Sequence, residues 1–176
     1  ADSPTGPWRD PIGKQIISRE TPGCSGSEIG WLFDPAVLVD DDGTGYLYFG
    51  GIGNTAGKAD DFIKNPKCGR VVKLADDMVS LAGDPVTIDA PYMFEDSGIN
   101  KIGDKYYYSY CTNWTNVSGR DETIPAANIA VMESDNPMTG FKFVGCVLKN
   151  PGTYFGASGN NHHCFAEFKG TWYAFY

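Results

Sequence analysis

The chain has 176 residues, enough for one domain with a substantial core, and 41% of them are apolar, so it reads as a folded globular chain. Fourteen Lys and Arg stand against 22 Asp and Glu, a formal net charge of −8 that repels phosphate backbones and anionic lipid and so argues against nucleic-acid and membrane-surface binding. No apolar run approaches the roughly 20 residues of a membrane span, and five scattered cysteines without CxxC spacing spell neither a disulfide framework nor a zinc site, which favours buried free thiols.

Aromatic residues reach 14% and Gly and Pro number 22 and 11, a composition that suits short strands joined by tight turns. In chain order, one phrase recurs three times: an apolar strand, a Gly-containing turn, then an aromatic-rich strand. The copies are Phe33 to Phe49, Phe94 to Tyr110 and His163 to Tyr176, each predicting a β-hairpin. Between them, Gly69 to Leu74, Ile129 to Ser134 and Phe141 to Leu148 predict further strands, and Asp76 to Pro85 and Ser134 to Thr139 supply turns. Pro and Gly interrupt every helical candidate before three turns are complete, so the class is all-β.

The turn glycines Gly43, Gly103 and Gly170 recur at intervals of 60 and 67 residues, room for four strands per unit. That is longer than the roughly 40 to 50 residues of common propeller repeats, yet four strands per unit suit a β-propeller blade. Such rings close with about four to eight blades, and this length supplies about three. The expectation is an incomplete single domain over residues 1–176, with the remainder of the propeller in missing sequence at both ends or in a second chain.

Asp34 opens the first hairpin after Trp31-Leu32-Phe33, and Glu95 takes the matching place in the second after Tyr92-Met93-Phe94. The innermost strands of propeller blades start near the central axis, so these acids should converge although 61 residues separate them. Paired carboxylates, one kept protonated and one ionised, are what glycoside hydrolysis needs. A solvated turn acid explains either residue equally well when it is taken alone.

Together, Phe33-Asp34-Pro35 through Gly43 with Tyr46 to Phe49, Phe94-Glu95-Asp96-Ser97 with Tyr106 to Tyr110, and Gly159-Asn-Asn-His162-His163 with Trp172-Tyr173 closely resemble family-43 glycoside hydrolases. The resemblance implies a five-bladed β-propeller and an inverting hydrolase of arabinose- or xylose-containing plant polysaccharides, of the α-L-arabinofuranosidase or β-D-xylosidase type. Glu95 matches the proton donor, and Asp34 the acid that tunes the donor's pKa and holds it in place. The base of that family belongs to an earlier blade, and no acid here matches its motif. Residues 1–176 alone should therefore be inactive on aryl glycosides. His162 matches an axial histidine near a cation, commonly calcium with a largely aqueous shell, although imidazole is a poor calcium ligand beside oxygen donors. No organic cofactor is implied.

Trp31, Phe33 and Trp114 flank the acidic positions and are the candidates for stacking on sugar faces, with core packing the competing role for Phe33. A non-catalytic carbohydrate-binding propeller module, or a transferase or lyase on the same scaffold, is the rival reading, since fold does not fix chemistry. Two motifs mislead. Gly51-Ile-Gly53-Asn-Thr-Ala56 fits a dinucleotide fingerprint but is followed by no room for an amphipathic helix. Asp40-Asp-Asp-Gly43 lacks the twelfth-position Glu of a calcium loop and predicts a hairpin turn.

Overall fold

The computed structural model describes residues 1–176 and is all-β apart from two short helical turns. Its strands are β1 (Ala36–Val39), β2 (Gly45–Phe49), β3 (Gly69–Lys73), β4 (Val86–Ile88), β5 (Met93–Ile102), β6 (Lys105–Thr112), β7 (Ile129–Ser134), β8 (Lys142–Leu148), β9 (Cys164–Phe168) and β10 (Thr171–Phe175). The helices, α1 (Asp60–Lys64) and α2 (Gly152–Phe155), have five and four residues, in keeping with the absence of a sustained helical period.

The strands form two four-stranded sheets in sequential order, β1-β2-β3-β4 and β5-β6-β7-β8, and a two-stranded β9-β10 hairpin, antiparallel throughout. All three predicted hairpins and all three predicted intervening strands form. Only β4 escaped the sequence: three residues after Asp84-Pro85 are too few to carry an alternation. The sheets do not close a ring within residues 1–176; two complete sheets and a hairpin stand where the repeat spacing predicts about three units.

The two sheets pack through aromatic side chains at the centre of a 19-residue apolar cluster. Tyr48 of β2 stacks on Tyr108 of β6 at 5.9 Å between ring centroids, and Tyr108 on Tyr110 at 5.8 Å; such pairs contribute about 0.5–1.5 kcal/mol each beyond the area they bury. Each hydroxyl has a partner: Tyr48 donates to the Pro137 carbonyl at 2.6 Å, Tyr110 to the Pro91 carbonyl at 2.8 Å, and Tyr108 shares a hydrogen with Ser97 at 3.0 Å. At the β1–β2 turn, Lys101 Nζ donates to Asp40 Oδ1 at 2.5 Å and to Asp41 Oδ2 at 2.8 Å, and the Tyr106 hydroxyl donates to Asp40 Oδ2 at 2.5 Å. The acidic run is thus a hairpin turn, as its sequence predicts, and also a clamp between the sheets. All five cysteines are free; Cys24, Cys68 and Cys111 are buried, whereas Cys164 is exposed, a departure from uniformly buried thiols.

What brings the starts of β1 and β5 together is the chain leaving β2. Gly50 N–H donates to the Phe33 carbonyl at 3.1 Å, and Ile52 N–H donates to the Phe94 carbonyl at 3.0 Å. Residues 50–52 therefore strap the residue before Asp34 to the residue before Glu95. A Cβ on Gly51 would lie 2.4 Å from the Phe33 ring and 2.9 Å from the Phe94 carbonyl oxygen. The glycines that mimic a dinucleotide fingerprint are there because two backbones approach this closely.

Candidate active site

Asp34 and Asp96 both adopt left-handed backbone conformations, with φ of 49° and 68°. Non-glycine residues rarely do so, and they persist where surrounding contacts over-determine them. For Asp34 the contact is a hydrogen bond from the Asp96 N–H to its Oδ2 at 3.0 Å. For Asp96 the cause is irregularity in β5: the pairing with β6 shifts register between Met93 and Glu95 and again between Glu95 and Gly98. Adjacent strand residues ordinarily point to opposite faces. The bulges break that alternation, so Glu95 and Asp96 both reach the His162–His163 segment ahead of β9.

One nitrogen of His162 and one carboxylate oxygen each from Asp34 and Glu95 lie within 4.8 Å of one another. His162 Nε2 is 3.3 Å from Glu95 Oε1 and 3.9 Å from Asp34 Oδ2, and its Nδ1 is 4.0 Å from Asp96 Oδ1. The Glu95 side chain is 13% exposed. Burial pushes its pKa up, the negative charges of Asp34 and Asp96 push the same way, and His162 works against both. A carboxyl group that keeps its proton beyond the ordinary carboxylate range can act as a general acid.

His163 turns away from the carboxylate pair. Its side chain is 1% exposed, its Nδ1 and its backbone N–H (3.0 Å) both bond Asp96 Oδ2, and its Nε2 is 2.6 Å from Ser109 Oγ on β6. Of the two histidines, His162 therefore faces the Asp34–Glu95 pair, and His163 binds Asp96. Asp34, Asp96, Ser109, His162 and His163 line one cavity of about 520 Å³, and Glu95 meets it at His162.

None of the three aromatic candidates lines this cavity. Trp31 is partly exposed, edge-on to Phe33 at 4.9 Å and to Phe94 at 5.7 Å, and it lines a neighbouring depression with Asn54, Lys58 and Phe62. Phe33 is half-buried against Trp31 and the strap. Trp114 sits half-buried between β6 and β7, with its indole N–H buried and without a partner. Its loop and the β2–β3 loop join through Thr55 and Thr115 at 3.1 Å, and through the Ser118 N–H and Asp60 at 3.0 Å.

Sequence reasoning missed Asp96, His163 and Ser109. Two adjacent acids before a Ser-Gly pair were the available signal, since glycine inside a strand often marks a bulge. A Cβ on Gly98 would lie 2.4 Å from Ser109 Oγ and 3.0 Å from His163 Nε2.

A calcium ion takes six to eight oxygen ligands. One imidazole and two carboxylates within 4.8 Å supply the smaller part of such a shell. A direct bond to Glu95 would also hold its carboxylate ionised, against the effect of burial. The donor set fits a water-rich cation beside His162 and does not fit one bonded to Glu95.

Residues 1–176 match the profile of Glycosyl hydrolases family 43 over their whole length. The chain belongs to that family. This family-43 chain is 55% identical to the arabinoxylan arabinofuranohydrolase of Paenibacillus polymyxa, covering all of this chain and 27% of that protein. It is 52% identical to the arabinoxylan arabinofuranohydrolase of Bacillus subtilis, covering 34% of it. A crystal structure of a family-43 arabinoxylan arabinofuranohydrolase from Bacillus subtilis, in complex with cellotetraose, superposes with a TM-score of 0.93 at 51% identity over 99% of this chain and 35% of that one. The family-43 sequence described here thus spans about a third or less of these relatives' length.

Proposed function

We propose that this chain is the acid-bearing part of an α-L-arabinofuranosidase that removes arabinose from arabinoxylan by inversion, with Glu95 as proton donor and Asp34 as the residue that tunes and holds it. The observation that carries the reading is the partly buried Glu95 carboxyl, lifted in pKa, within 4.8 Å of Asp34. The likeness to two arabinoxylan arabinofuranohydrolases supports arabinoxylan as the substrate class. In this reading the fold is a five-bladed β-propeller of which the chain supplies about three blades. Apolar side chains exposed on β1 (Val37, Val39) and on β9–β10 (Phe168, Trp172, Phe175) pack against the remainder of that propeller.

Protonation of the leaving oxygen by Glu95 must be matched by a base acting on water at the opposite face of the sugar, about 6.5–9.5 Å from the donor. Asp34 stands closer than that and accepts the Asp96 N–H. It therefore modulates and does not serve as the inverting base, which lies outside residues 1–176. Trp31 and Trp114 serve as sugar-stacking surfaces, while Phe33 acts chiefly by packing. A calcium ion, where bound, sits beside His162 through water and contributes positive charge near the carboxylates.

The test is Glu95→Gln in the full-length protein with arabinoxylan as substrate. Loss of arabinose release with polysaccharide affinity retained supports the assignment, and unchanged turnover refutes it in favour of a non-catalytic binding module. Proton NMR of the first-formed sugar separates the two acid arrangements: an inverted anomer fits the distant base, and a retained anomer would make Asp34 a nucleophile.

A further inference from the structure

Asp96 is in contact with every part of the site yet sits in none of the roles assigned above. Its backbone N–H donates to Asp34 Oδ2 at 3.0 Å. Its carboxylate accepts the His163 backbone N–H at 3.0 Å and the His163 ring N–H at Nδ1. On the other side of the ring, His163 Nε2 shares a hydrogen with the Ser109 hydroxyl at 2.6 Å. Ser109 in turn pairs across the sheet with Gly98, two residues beyond Asp96. The loop of contacts closes on itself: from the bulge in β5, through the β9 approach, across to β6, and back to β5.

The row Ser109–His163–Asp96 has the order of an acyl-transfer triad, but its surroundings rule out that chemistry. Ser109 is 2% exposed in the middle of β6, paired with Gly98 of β5, which keeps its hydroxyl out of reach of a bulky acyl substrate. A hydroxyl buried this far and bonded to His163 is a structural one. What the row does is hold one carboxylate still. It keeps Asp96 at a φ of 68°, a conformation its own chemistry disfavours, and so keeps the N–H that fixes Asp34 aimed at its target.

We propose that Asp96, clamped by His163 and Ser109, is a positioning residue that sets the separation of the Asp34 and Glu95 carboxyl groups without touching the reacting atoms. The inference rests on the hydrolase reading of the same site. Three segments far apart in sequence carry the site's side chains: the turn before β1, the bulge in β5 and the approach to β9. Asp96 bonds the first through its backbone and the third through its side chain, while itself belonging to the second.

The experiment measures kcat and KM on p-nitrophenyl α-L-arabinofuranoside, with thermal melting alongside, for Glu95→Gln, Asp96→Ala, Asp96→Asn and Ser109→Ala in the full-length protein. Asp96→Ala should lower kcat about 100-fold with KM within about 3-fold, the cost of roughly 1 Å of misplacement. Asp96→Asn should recover part of the loss, because its amide oxygen still accepts one His163 N–H. Ser109→Ala, which frees the far end of the row, should lower kcat about 10-fold, again at little cost in KM. Unchanged kcat in Asp96→Ala, or a loss confined to KM, overturns the proposal. If Asp96→Ala fails to fold, Ser109→Ala decides, and wild-type kcat there overturns it equally. Arabinoxylan hydrolysis that survives Glu95→Gln instead refutes the assignment of the acid, because a sugar alkoxide, unlike p-nitrophenolate, needs that proton to leave.

Discussion

Gly51→Ala tests whether the strap from β2 sets the spacing of the acids. The new methyl would stand 2.4 Å from the Phe33 ring and 2.9 Å from the Phe94 carbonyl, against 3.4 Å for ordinary contact, so the ring must move by about 1 Å. Phe33 and Phe94 immediately precede Asp34 and Glu95, and the strap bonds both carbonyls, so the movement passes to the acids. Overpacking of this kind costs about 1–3 kcal/mol in stability, and a 1 Å error in catalytic geometry costs on the order of 100-fold in rate. Gly83→Ala, where an added Cβ meets nothing within 4 Å, is the control. The assay is arabinose release by the full-length protein under saturating substrate, with urea unfolding of both variants. Should Gly51→Ala keep kcat within about 3-fold of Gly83→Ala while folding normally, the strap does not set the acid geometry.

Four further outcomes follow from the site and the core. Glu95 has a raised folded-state pKa, so the native state keeps a proton that the unfolded state releases; stability should fall as pH rises from the unfolded carboxylate value of about 4.3 towards the folded one, and Glu95→Gln should abolish that fall in a pH series of unfolding midpoints. Activity should be lost over the same rise, since the donor must carry its proton, and kcat/KM rising through that window would contradict the role. Tyr48→Phe leaves the Pro137 carbonyl without its 2.6 Å partner and should cost about 1 kcal/mol in urea unfolding with kcat unchanged. Calcium should raise the melting temperature of the wild type but not of His162→Ala, and an equal shift in both would place any bound cation elsewhere.

The hairpins were legible because their signals are local. Strand pairs such as Ala36–Val39 with Gly45–Phe49 carry their own turn glycine and alternation, and repeat equivalence between Asp34 and Glu95 then placed two distant acids at one site. The supporting side chains were not legible, since each depends on a departure from alternation. A regular β5 would send Asp96 to the face opposite Glu95; two register shifts and a positive φ bring both to the histidines instead. Ser109, between Tyr108 and Tyr110, reads as a core strand residue, and only its 2.6 Å contact with His163 reveals its part. The β2–β3 glycines misled for a related reason: a backbone approaching another backbone and a backbone approaching a pyrophosphate both need a missing Cβ.

The adjacency of Glu95 and Asp96 resolves a conflict in the chemistry. A proton donor must sit where its charge is disfavoured, but a group buried for that purpose is poorly held, because polar partners that orient it also stabilise its ionised form. Here the tasks fall to neighbours. Glu95 has one polar contact, His162 at 3.3 Å, and otherwise burial and like charge. Asp96 takes the strong bonds, accepting two N–H groups of His163 and offering its own N–H to Asp34. In the proposed reading, rigidity reaches Glu95 through the backbone, whose bulged path Asp96 fixes, and His162 is the one hydrogen-bond partner that works against the rise in the Glu95 pKa.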